Sequence, residues 1–495
     1  MVFGWLLLLS GCTPKCSDST LTSKAERPPN FIIIFTDDQG YGDLSCFGAR
    51  HVNTPNIDRL AKEGTKLTSF YVAAAVCTPS RAALMTGCYP KRVNLGTGSI
   101  FPVLLAGDSK GLHPDEITIA EVLKKRGYAT GIFGKWHLGD QAEFLPTRQG
   151  FDEFFGIPYS HDIHPFHPRQ EHFQFPSLPL LEGETVIEMD PDADYLTQRI
   201  TQRTIQFIEK HRDEPFFLYI PHPVPHHPVH VSPKFMETVS DSLQALLTME
   251  NGAVNYTVRG SLYPQAISEI DWSVEQIIGT LIRHKLDSNT LVIFTSDNGP
   301  DGGYDREGMG SAGPLRGRKG STFEGGMRVP AVAWWPGKIP GGFETNELLT
   351  AMDLLPTFAN LSGADIPQDR TIDGKDIWPV LSGQPGAKSP HDRFFYHFIN
   401  ELRAVRSGPW KYHQILPNRP RENREALSQS TALFNLDTDP GETKDLSAQY
   451  PEIVERLQGD LRAFELELGK GDSLSTECRP AGWVDDPLPL TIANR

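Results

Sequence analysis

The chain has 495 residues, with 47 lysines and arginines against 62 aspartates and glutamates, and a net charge of −15. This acidic balance argues against a nucleic acid or an anionic membrane as a ligand held by bulk attraction. The apolar share of 39%, together with 44 glycines, excludes a largely disordered chain. An anionic substrate would therefore have to meet a local cluster of cations inside an acidic protein.

The first residues have the pattern of an export signal. An apolar run at residues 2–9 is followed by Leu-Ser-Gly-Cys at 9–12, which resembles a bacterial lipobox in which Cys12 would carry the lipid. We expect residues 1–29 to be a signal, lipobox and tether, and the protein to be exported, as a periplasmic or cell-surface lipoprotein. A plain secretory signal is the alternative, because no Lys or Arg precedes the apolar run. No run reaches the roughly 18 apolar residues of a membrane-spanning helix.

Four short apolar runs predict buried parallel strands, and each is followed by polar residues. They cover residues 30–35, 129–133, 215–220 and 290–295. Helices are expected at residues 54–61, 193–211 and 261–284, and an irregular segment at 158–191. This alternation indicates an open α/β sheet, in which ligands bind outside the carboxyl ends of the strands. We expect residues 30–390 to form the catalytic domain.

From about His391 the sequence changes to short aromatic runs. They predict a small antiparallel sheet closed by a helix at residues 451–468, so that 391–495 form a C-terminal α+β subdomain and tail. Disulfides are not expected to hold the fold, because the cysteines show no pairing framework. The cysteines are Cys12, Cys16, Cys46, Cys77, Cys88 and Cys478.

The most informative stretch is C-T-P-S-R-A-A-L-M-T-G, residues 77–87. It resembles the signature of the type I sulfatases, C-x-P-S-R followed by L-x-T-G, in which a dedicated enzyme oxidises the cysteine to Cα-formylglycine. Further shared phrases extend the resemblance from about residue 29 to 469, nearest to the arylsulfatase A and N-acetylgalactosamine-6-sulfatase branches. They are T-D-D-Q-G-Y-G-D-L, G-K-W-H-L-G, G-I-P-Y-S-H-D, S-D-N-G-P and K-G-S-T-F-E-G-G-M-R-V-P-A.

This resemblance implies both a fold and an activity. The fold would be alkaline-phosphatase-like, with a large mixed, mostly parallel sheet flanked by helices and a smaller C-terminal antiparallel-sheet domain. The activity would be that of a sulfuric ester hydrolase acting on an aryl sulfate or a sulfated sugar. Its partners would be that substrate and a formylglycine-generating or anaerobic sulfatase-maturating enzyme.

Oxygen ligands follow two of the predicted strands. Asp37 and Asp38 end the first, and Asp297 and Asn298 end the last. Oxygen-only ligation selects a hard divalent cation, Ca²⁺ first and Mg²⁺ next. An Asp-Asp pair taken alone would more often cap a helix. The resemblance implies that the modified Cys77 joins the metal's coordination sphere, where the metal lowers the pKa of the aldehyde hydrate.

Basic residues are expected to surround the modified cysteine. Arg81 lies one helical turn after Cys77 and can orient the hydrate. By the resemblance, Lys135 binds sulfate and formylglycine, and His137 is the base that collapses the hemiacetal sulfate. A serine nucleophile would leave a stable sulfate ester, whereas an aldehyde hydrate offers a second hydroxyl through which sulfate is expelled.

Further residues would contact the substrate. By the resemblance, His226 and Lys319 hold its bridging oxygen, with protonated His226 favoured as the general acid, and Ser160 contacts sulfate. His227 remains a rival to His226, because spacing does not separate them. A substrate-rim loop is favoured over a transition-metal site for the irregularly spaced histidines His161, His164, His167 and His172.

Two other functions remain open at this point. One is a phosphomonoesterase or phosphodiesterase of the same superfamily, although those relatives use Ser or Thr nucleophiles. The other is a non-catalytic surface protein that binds sulfated glycans, which requires an unmodified Cys77. The loops at 158–186 and 302–313, which would wall the pocket, do not reveal the natural substrate.

Overall fold

The computed structural model describes residues 1–2, 27–249, 253–301, 309–415 and 431–492. The predicted lipobox, Cys12 and most of the tether lie outside these described residues. None of the helices within them combines the length and the apolar character needed to cross a bilayer.

Strands and helices alternate through the first three quarters of the chain. The strands are β1 (Asn30–Thr36), β2 (Thr65–Tyr71), β3 (Lys110–Gly111), β4 (Ala129–Lys135), β5 (Glu153–Ile157), β6 (Pro179–Glu182), β7 (Thr185–Met189), β8 (Phe216–Pro221), β9 (Thr290–Ser296), β10 (Arg328–Trp334), β11 (Phe343–Thr345), β12 (Leu349–Thr350), β13 (Phe394–Phe398), β14 (Glu401–Ser407), β15 (Trp410–His413), β16 (Ala432–Asn435) and β17 (Gly482–Trp483). The α-helices are α1 (Pro55–Glu63), α2 (Cys77–Thr86), α3 (Ile119–Lys124), α4 (Gln170–Phe173), α5 (Leu196–Lys210), α6 (Pro233–Met236), α7 (Asp241–Gln244), α8 (Tyr256–Arg259), α9 (Tyr263–Arg283), α10 (Glu324–Met327), α11 (Leu354–Ser362), α12 (Trp378–Leu381) and α13 (Pro451–Leu468).

One large sheet organises the first domain. Its strand order is β11-β2-β10-β9-β1-β8-β4-β5-β6-β7, and β12 pairs with β2. The five central strands from β9 to β5 all run parallel, while β10, β6 and β7 join antiparallel. The four apolar runs that predicted strands are β1, β4, β8 and β9. The predicted large, mostly parallel mixed sheet is confirmed.

The central strand β1 shows why this sequence forms a sheet covered on both faces. All seven of its residues are buried. Phe31 and Ile33 pack into the core shared with α2, α3 and α11, whereas Ile32 and Ile34 pack into the core shared with α1, α5 and α9. Successive side chains of a strand point to opposite faces, so a continuous apolar run needs a helical layer on each side.

One expectation about this domain was wrong. Residues 179–189, expected to be irregular, form the antiparallel hairpin of β6 and β7 at the sheet edge. Leu180, Leu181 and Val186 are buried against the two cores, and Gly183 takes a positive φ of 60° in the turn. The histidines that suggested irregular chain all precede the hairpin, and Pro179 is the first residue of β6.

The C-terminal region forms a second sheet, as predicted. Strands β13 to β16 pair antiparallel in chain order, and α13 packs on them. The tail after α13 then returns to the first domain, where β17 pairs with β3. Among the described residues all four cysteines, Cys46, Cys77, Cys88 and Cys478, are free thiols, so no disulfide links the described elements.

A buried charge network joins the two sheets. Glu324 on α10 accepts hydrogen bonds from Lys411 on β15 and from Tyr396 on β13, each at 2.9 Å. Lys411 also lies 3.0 Å from a carboxylate oxygen of Glu442, whose other oxygen accepts the Glu324 amide at 2.6 Å. Lys411, Glu324 and Glu442 are completely buried, so each charge depends on its partners for the solvation that water would give it.

We expect Lys411→Met to destabilise the protein by roughly 3–5 kcal/mol, because it removes the lysine that contacts both buried carboxylates. The measurement is urea unfolding followed by tryptophan fluorescence. Lys444→Met is the matched control, since Lys444 is exposed, and it should leave the midpoint unchanged. Equal midpoints for the two variants would contradict the importance assigned to this network.

Candidate active site

The carboxyl ends of the five central parallel strands meet at one edge of the sheet, and the predicted site residues follow them. Asp37 and Asp38 follow β1, Asp297 and Asn298 follow β9, and Lys135 ends β4. The loop after β8 carries His226 and His227, and the loop after β5 carries Ser160 and His161. Parallel pairing is therefore what brings residues more than 250 positions apart into one cluster.

Helix α2 carries the motif cysteine into this cluster. Cys77 is its first residue, Val76 before it is extended, and all ten residues of the helix are buried. The helix ends at Gly87, which has a φ of 67° and closes the last turn through its amide. Burial raises the pKa of the Cys77 thiol, although Lys135 and Lys319 oppose the shift. The unmodified side chain is thus a neutral thiol.

Arg81 binds the cluster together from one turn along α2. Its Nη2 lies 2.7 Å from Asp297 Oδ2 and 3.6 Å from Asp37 Oδ2, and its Nη1 donates to the Lys135 carbonyl at 3.0 Å. Burial disfavours the charge, but Asp297 and Asp37 more than offset it and raise the pKa of Arg81. A guanidinium can make these divergent contacts at once, which an ammonium group cannot do.

The predicted oxygen ligands form a compact donor set. One ligand atom each of Asp37, Cys77 and Asp297 lies within 4.8 Å of the others. The Asn298 side chain donates to Asp38 Oδ1 at 2.7 Å, which directs its own oxygen away. Asp37 Oδ1 and Asn298 Oδ1 are both buried without a hydrogen-bond partner, which is uncommon for buried polar atoms.

These two orphaned oxygens, with three carboxylates around them, fit a hard divalent cation. Burial raises the pKa of Asp38 to about 8 and that of Asp297 to about 6, and repulsion from Asp37 adds to both. The pKa of Asp37 itself lies well below its ordinary value, because Lys135 and the other nearby cations outweigh the effect of burial. A second grouping of Asp37, Asp38 and His226 has the same compactness, and the sequence did not suggest His226 as a ligand.

Each carboxylate has its own close cation. Lys135 Nζ lies 2.6 Å from Asp37 Oδ2, and Lys319 Nζ lies 2.7 Å from Asp38 Oδ1. Lys319 is fixed by its own loop, since its amide donates to the Pro300 carbonyl at 3.0 Å. Contact with Asp38 raises the pKa of Lys319 well above its ordinary value even though burial opposes the charge.

His137 lies just beyond β4 and is only 1% exposed. Its Nε2 is 2.8 Å from the Leu104 carbonyl, and a carbonyl can only accept, so Nε2 carries the hydrogen and Nδ1 keeps a lone pair. Nδ1 is buried without a partner. Burial, followed by Lys135 and Arg81, lowers the pKa of His137 well below its ordinary value. The ring is therefore neutral and presents a free acceptor.

The two adjacent histidines after β8 have different orientations. His226 Nε2 lies 3.6 Å from Asp38 Oδ2, within the cluster. His227 instead hydrogen-bonds through Nε2 to the Tyr256 carbonyl. The geometry therefore brings His226, and not its rival, to the carboxylates. Burial and Lys319 lower the pKa of His226 to about 3, so its ring is neutral here.

The predicted rim histidines divide into two groups. His161 is buried, with its ring 5.5 Å from that of His226. His164 and His167 pack against the ring of Tyr256, at 6.4 and 6.0 Å, and His167 also contacts Phe173. Within the described residues no metal-ligand group contains any of the four histidines. The loop thus packs through aromatic contacts, and its role as a substrate rim stays a prediction.

Ser160 is buried beyond the end of β5. Its hydroxyl has no hydrogen-bond partner among the described residues. The nearby Asp162 has its pKa lowered by His226 and His161, although burial opposes the shift. Sequence reasoning missed both Asp162 and the Leu104 carbonyl. Only the phrase Y-S-H-D pointed to the former, and no side-chain pattern identifies the latter.

Comparisons with known proteins agree with this geometry. The profile of the Sulfatase family matches residues 29–364, and that of the C-terminal region of aryl-sulfatase matches 389–486. Arylsulfatase A of Homo sapiens is 38% identical over 470 residues, which cover 87% of this chain and 87% of that protein. N-acetylgalactosamine-6-sulfatase of Sus scrofa is 34% identical over 497 residues, covering 92% and 90%. The resemblance predicted from the motifs is confirmed.

Solved structures show the same fold. The PsFucS1 sulfatase from Pseudoalteromonas sp. superposes with a TM-score of 0.73 at 27% identity, covering 89% of this chain and 90% of that chain. The phosphonate monoester hydrolase of Agrobacterium radiobacter superposes with a TM-score of 0.57 at 20% identity, covering 88% and 96%. The latter likeness concerns the fold alone, and the two together confirm the predicted alkaline-phosphatase-like architecture.

Proposed function

The chain belongs to the sulfatase family of sulfuric ester hydrolases, and from that premise we propose that it works through formylglycine at Cys77 and a bound Ca²⁺. Mg²⁺ is the second choice of ion. The substrate would be an aryl sulfate or the sulfated terminus of a sugar or glycan. The observation that carries this proposal is the approach of Cys77, Asp37 and Asp297 to within 4.8 Å of one another, beside the buried cations Arg81 and Lys135 and the partly buried Lys319.

Two groups supplied after translation would provide the chemistry. Hydrated formylglycine offers one hydroxyl that attacks sulfur and a second through which sulfate is released. A divalent cation lowers the pKa of that hydrate and withdraws charge from a sulfate oxygen. Asp37, Asp38, Asp297 and Asn298 would hold the cation, because their oxygens are hard donors and two of them have no protein partner.

The cations of this chain would bind and orient the sulfate group. The ammonium group of Lys135 contacts Asp37, and that of Lys319 contacts Asp38, so both lie within the cluster. Arg81 keeps the first turn of α2 fixed against Asp297, which holds residue 77 in place. Ser160 would contact sulfate from the loop after β5. Fixed charges in a site closed to water stabilise developing negative charge without the cost of reorganising solvent.

Two imidazoles would move protons. His137 would accept one at Nδ1 when sulfate is released, because that atom is free and the neutral ring is a competent base. His226, with Lys319, would hold the bridging oxygen and pass a proton to the leaving alcohol. Its ring is neutral without substrate, so this role requires the negative charge of the bound ester to raise the pKa of His226 until the ring takes up a proton from solvent.

The alternative functions have no specific support. The relatives that match most of the chain are sulfatases, and the likeness to a phosphonate monoester hydrolase extends only to the fold. A purely binding role does not fit the assignment of the chain to a family of hydrolases.

We further propose that the protein is exported and that a formylglycine-generating or anaerobic sulfatase-maturating enzyme is its partner. The support is the apolar run and the Leu-Ser-Gly-Cys sequence at 9–12, together with the C-T-P-S-R motif. A lipid at Cys12 would then be the membrane attachment, leaving residues up to 29 as a tether.

The direct test of formylglycine is mass spectrometry of the peptide that contains Cys77, from protein made with a maturation enzyme. We expect the thiol to be replaced by an aldehyde and its hydrate, and Cys77→Ala to release no sulfate from nitrophenyl sulfate. Cys88→Ala is the matched control, because Cys88 is equally buried on the loop after α2. Full turnover by protein with an intact Cys77 thiol would refute the mechanism.

Ca²⁺ binding can be tested without turnover, by calorimetry and thermal unfolding of chelator-treated protein. We expect Ca²⁺ to raise the melting temperature, since a ligand at 100 times its Kd stabilises by about 2.7 kcal/mol. Asp297→Asn should abolish most of this response. Asp271→Asn, at a buried carboxylate that receives the first amides of α1, should retain it. An unchanged response in Asp297→Asn would overturn the assigned ligand set.

The choice of ester can be tested by comparing nitrophenyl sulfate with nitrophenyl phosphate. We expect the sulfate to be hydrolysed much faster, because a phosphate monoester brings a second negative charge beside the three carboxylates. Chondroitin oligosaccharides and monosaccharide sulfates would then separate glycan from aryl substrates. Preferential hydrolysis of the phosphate would contradict the proposed reaction.

A further inference from the structure

The tail that follows α13 contacts the segment that fixes the His137 ring. His137 Nε2 donates to the carbonyl of Leu104, and Leu104 is itself 2% exposed. The Leu104 amide donates to Thr78 Oγ1 on α2 at 3.1 Å. The tautomer and direction of the ring thus depend on where the segment from Leu104 to Leu112 lies.

Backbone pairing attaches that segment to both the site and the tail. The Leu112 amide donates to the Leu138 carbonyl at 2.8 Å, next to His137. On its other side, β3 (Lys110–Gly111) pairs antiparallel with β17 of the tail. The Val484 amide extends this pairing by donating to the Ser109 carbonyl at 2.9 Å. The end of the segment, at β3, is therefore held between the catalytic loop and the tail.

A second set of contacts joins the tail to the loop after His137. Gln141 forms two hydrogen bonds with the backbone of Leu488, at 3.0 and 3.1 Å. Asp140 beside it accepts the Gly107 amide at 2.7 Å. Tail, loop and Leu104 segment thus form a closed ring of contacts around His137.

Close packing makes the arrangement rigid. The ring of Phe144 occupies the space in front of Gly111, Gly139 and Gly482, so that a Cβ at any of the three would overlap it. These glycines come from the segment, the catalytic loop and the tail respectively. No side chain larger than hydrogen fits at these positions without displacing the Phe144 ring or one of the three backbones.

We propose that the tail residues from Gly482 to Leu488 are positioning residues for His137. They hold the Leu104 carbonyl against Nε2, which keeps the hydrogen on Nε2 and leaves Nδ1 as a free acceptor. The inference rests on the proposed function for the role of His137 as a base. In the step it serves, the C–O bond to sulfate would break and its electron pair would leave with sulfate. The aldehyde C=O would re-form from the second hydroxyl, whose proton would pass to Nδ1.

The kinetic test compares Gly482→Ala and Gln141→Leu with Gly279→Ala. Gly279 is the control because a Cβ there meets no atom within 4 Å. We expect Gly482→Ala, in the tail, and Gln141→Leu, in the loop that binds the tail, each to lower kcat about tenfold to a hundredfold with little change in KM. Because only sulfate release slows, one equivalent of nitrophenol per active site should appear in a burst. Equal slowing of nitrophenol release and sulfate release, or an unchanged kcat, would overturn the proposal.

A second measurement avoids turnover and formylglycine altogether. In a Cys77→Ala background, hydrogen–deuterium exchange should accelerate at residues 104–112 in both the Gly482→Ala and the Gln141→Leu protein, while β1 and β9 remain protected. If exchange at 104–112 matches that of the Gly279→Ala protein, the proposed positioning by the tail is refuted, whichever reaction the enzyme catalyses. If instead exchange accelerates as expected but the matured protein hydrolyses no sulfate ester, the proposed function is refuted, whereas the positioning of the Leu104 segment by the tail is supported.

Discussion

The structure depends on three buried carboxylates at the ends of parallel strands. They face three cations, of which Arg81 and Lys135 are buried and Lys319 is partly buried. Asp37, Asp38 and Asp297 each have a basic partner within 2.8 Å. Buried ion pairs of this kind add little net stability, but the loss of one partner is costly. Their retention is therefore better explained by what they do with a third charged species than by what they add to folding.

That third species would be the divalent cation of the proposed function. When all three carboxyls are ionised, as ligation of a divalent cation would require, their charges offset those of the three basic residues and leave no net positive charge to attract a sulfate. The two positive charges of a divalent cation among the carboxylates would give the site a net positive charge. Lys135, Lys319 and Arg81 could then also attract the sulfate oxygens. A chain with a net charge of −15 can in this way hold an anion, because the local charge decides the binding.

Much of this site was readable from the sequence, for a physical reason. Apolar runs that end in polar residues mark strands whose ends must meet, so Asp37, Lys135 and Asp297 were assigned to one edge of the sheet before their distances were known. The different directions of His226 and His227 were not readable. They arise from the backbone carbonyl of Tyr256, nearly thirty residues away, and backbone groups leave no mark in the sequence.

The same reason explains why the support around His137 escaped prediction. Leu104 acts through its carbonyl, and the tail acts through the amides and carbonyls of β17 and Leu488. The sequence shows this arrangement only indirectly, through three glycines that leave room for the ring of Phe144. Catalytic side chains are constrained in type and so form motifs, whereas the backbone that orients them is constrained only in position. A tail can therefore change its sequence widely, provided that it keeps the glycine and the pairing that hold the catalytic base in place.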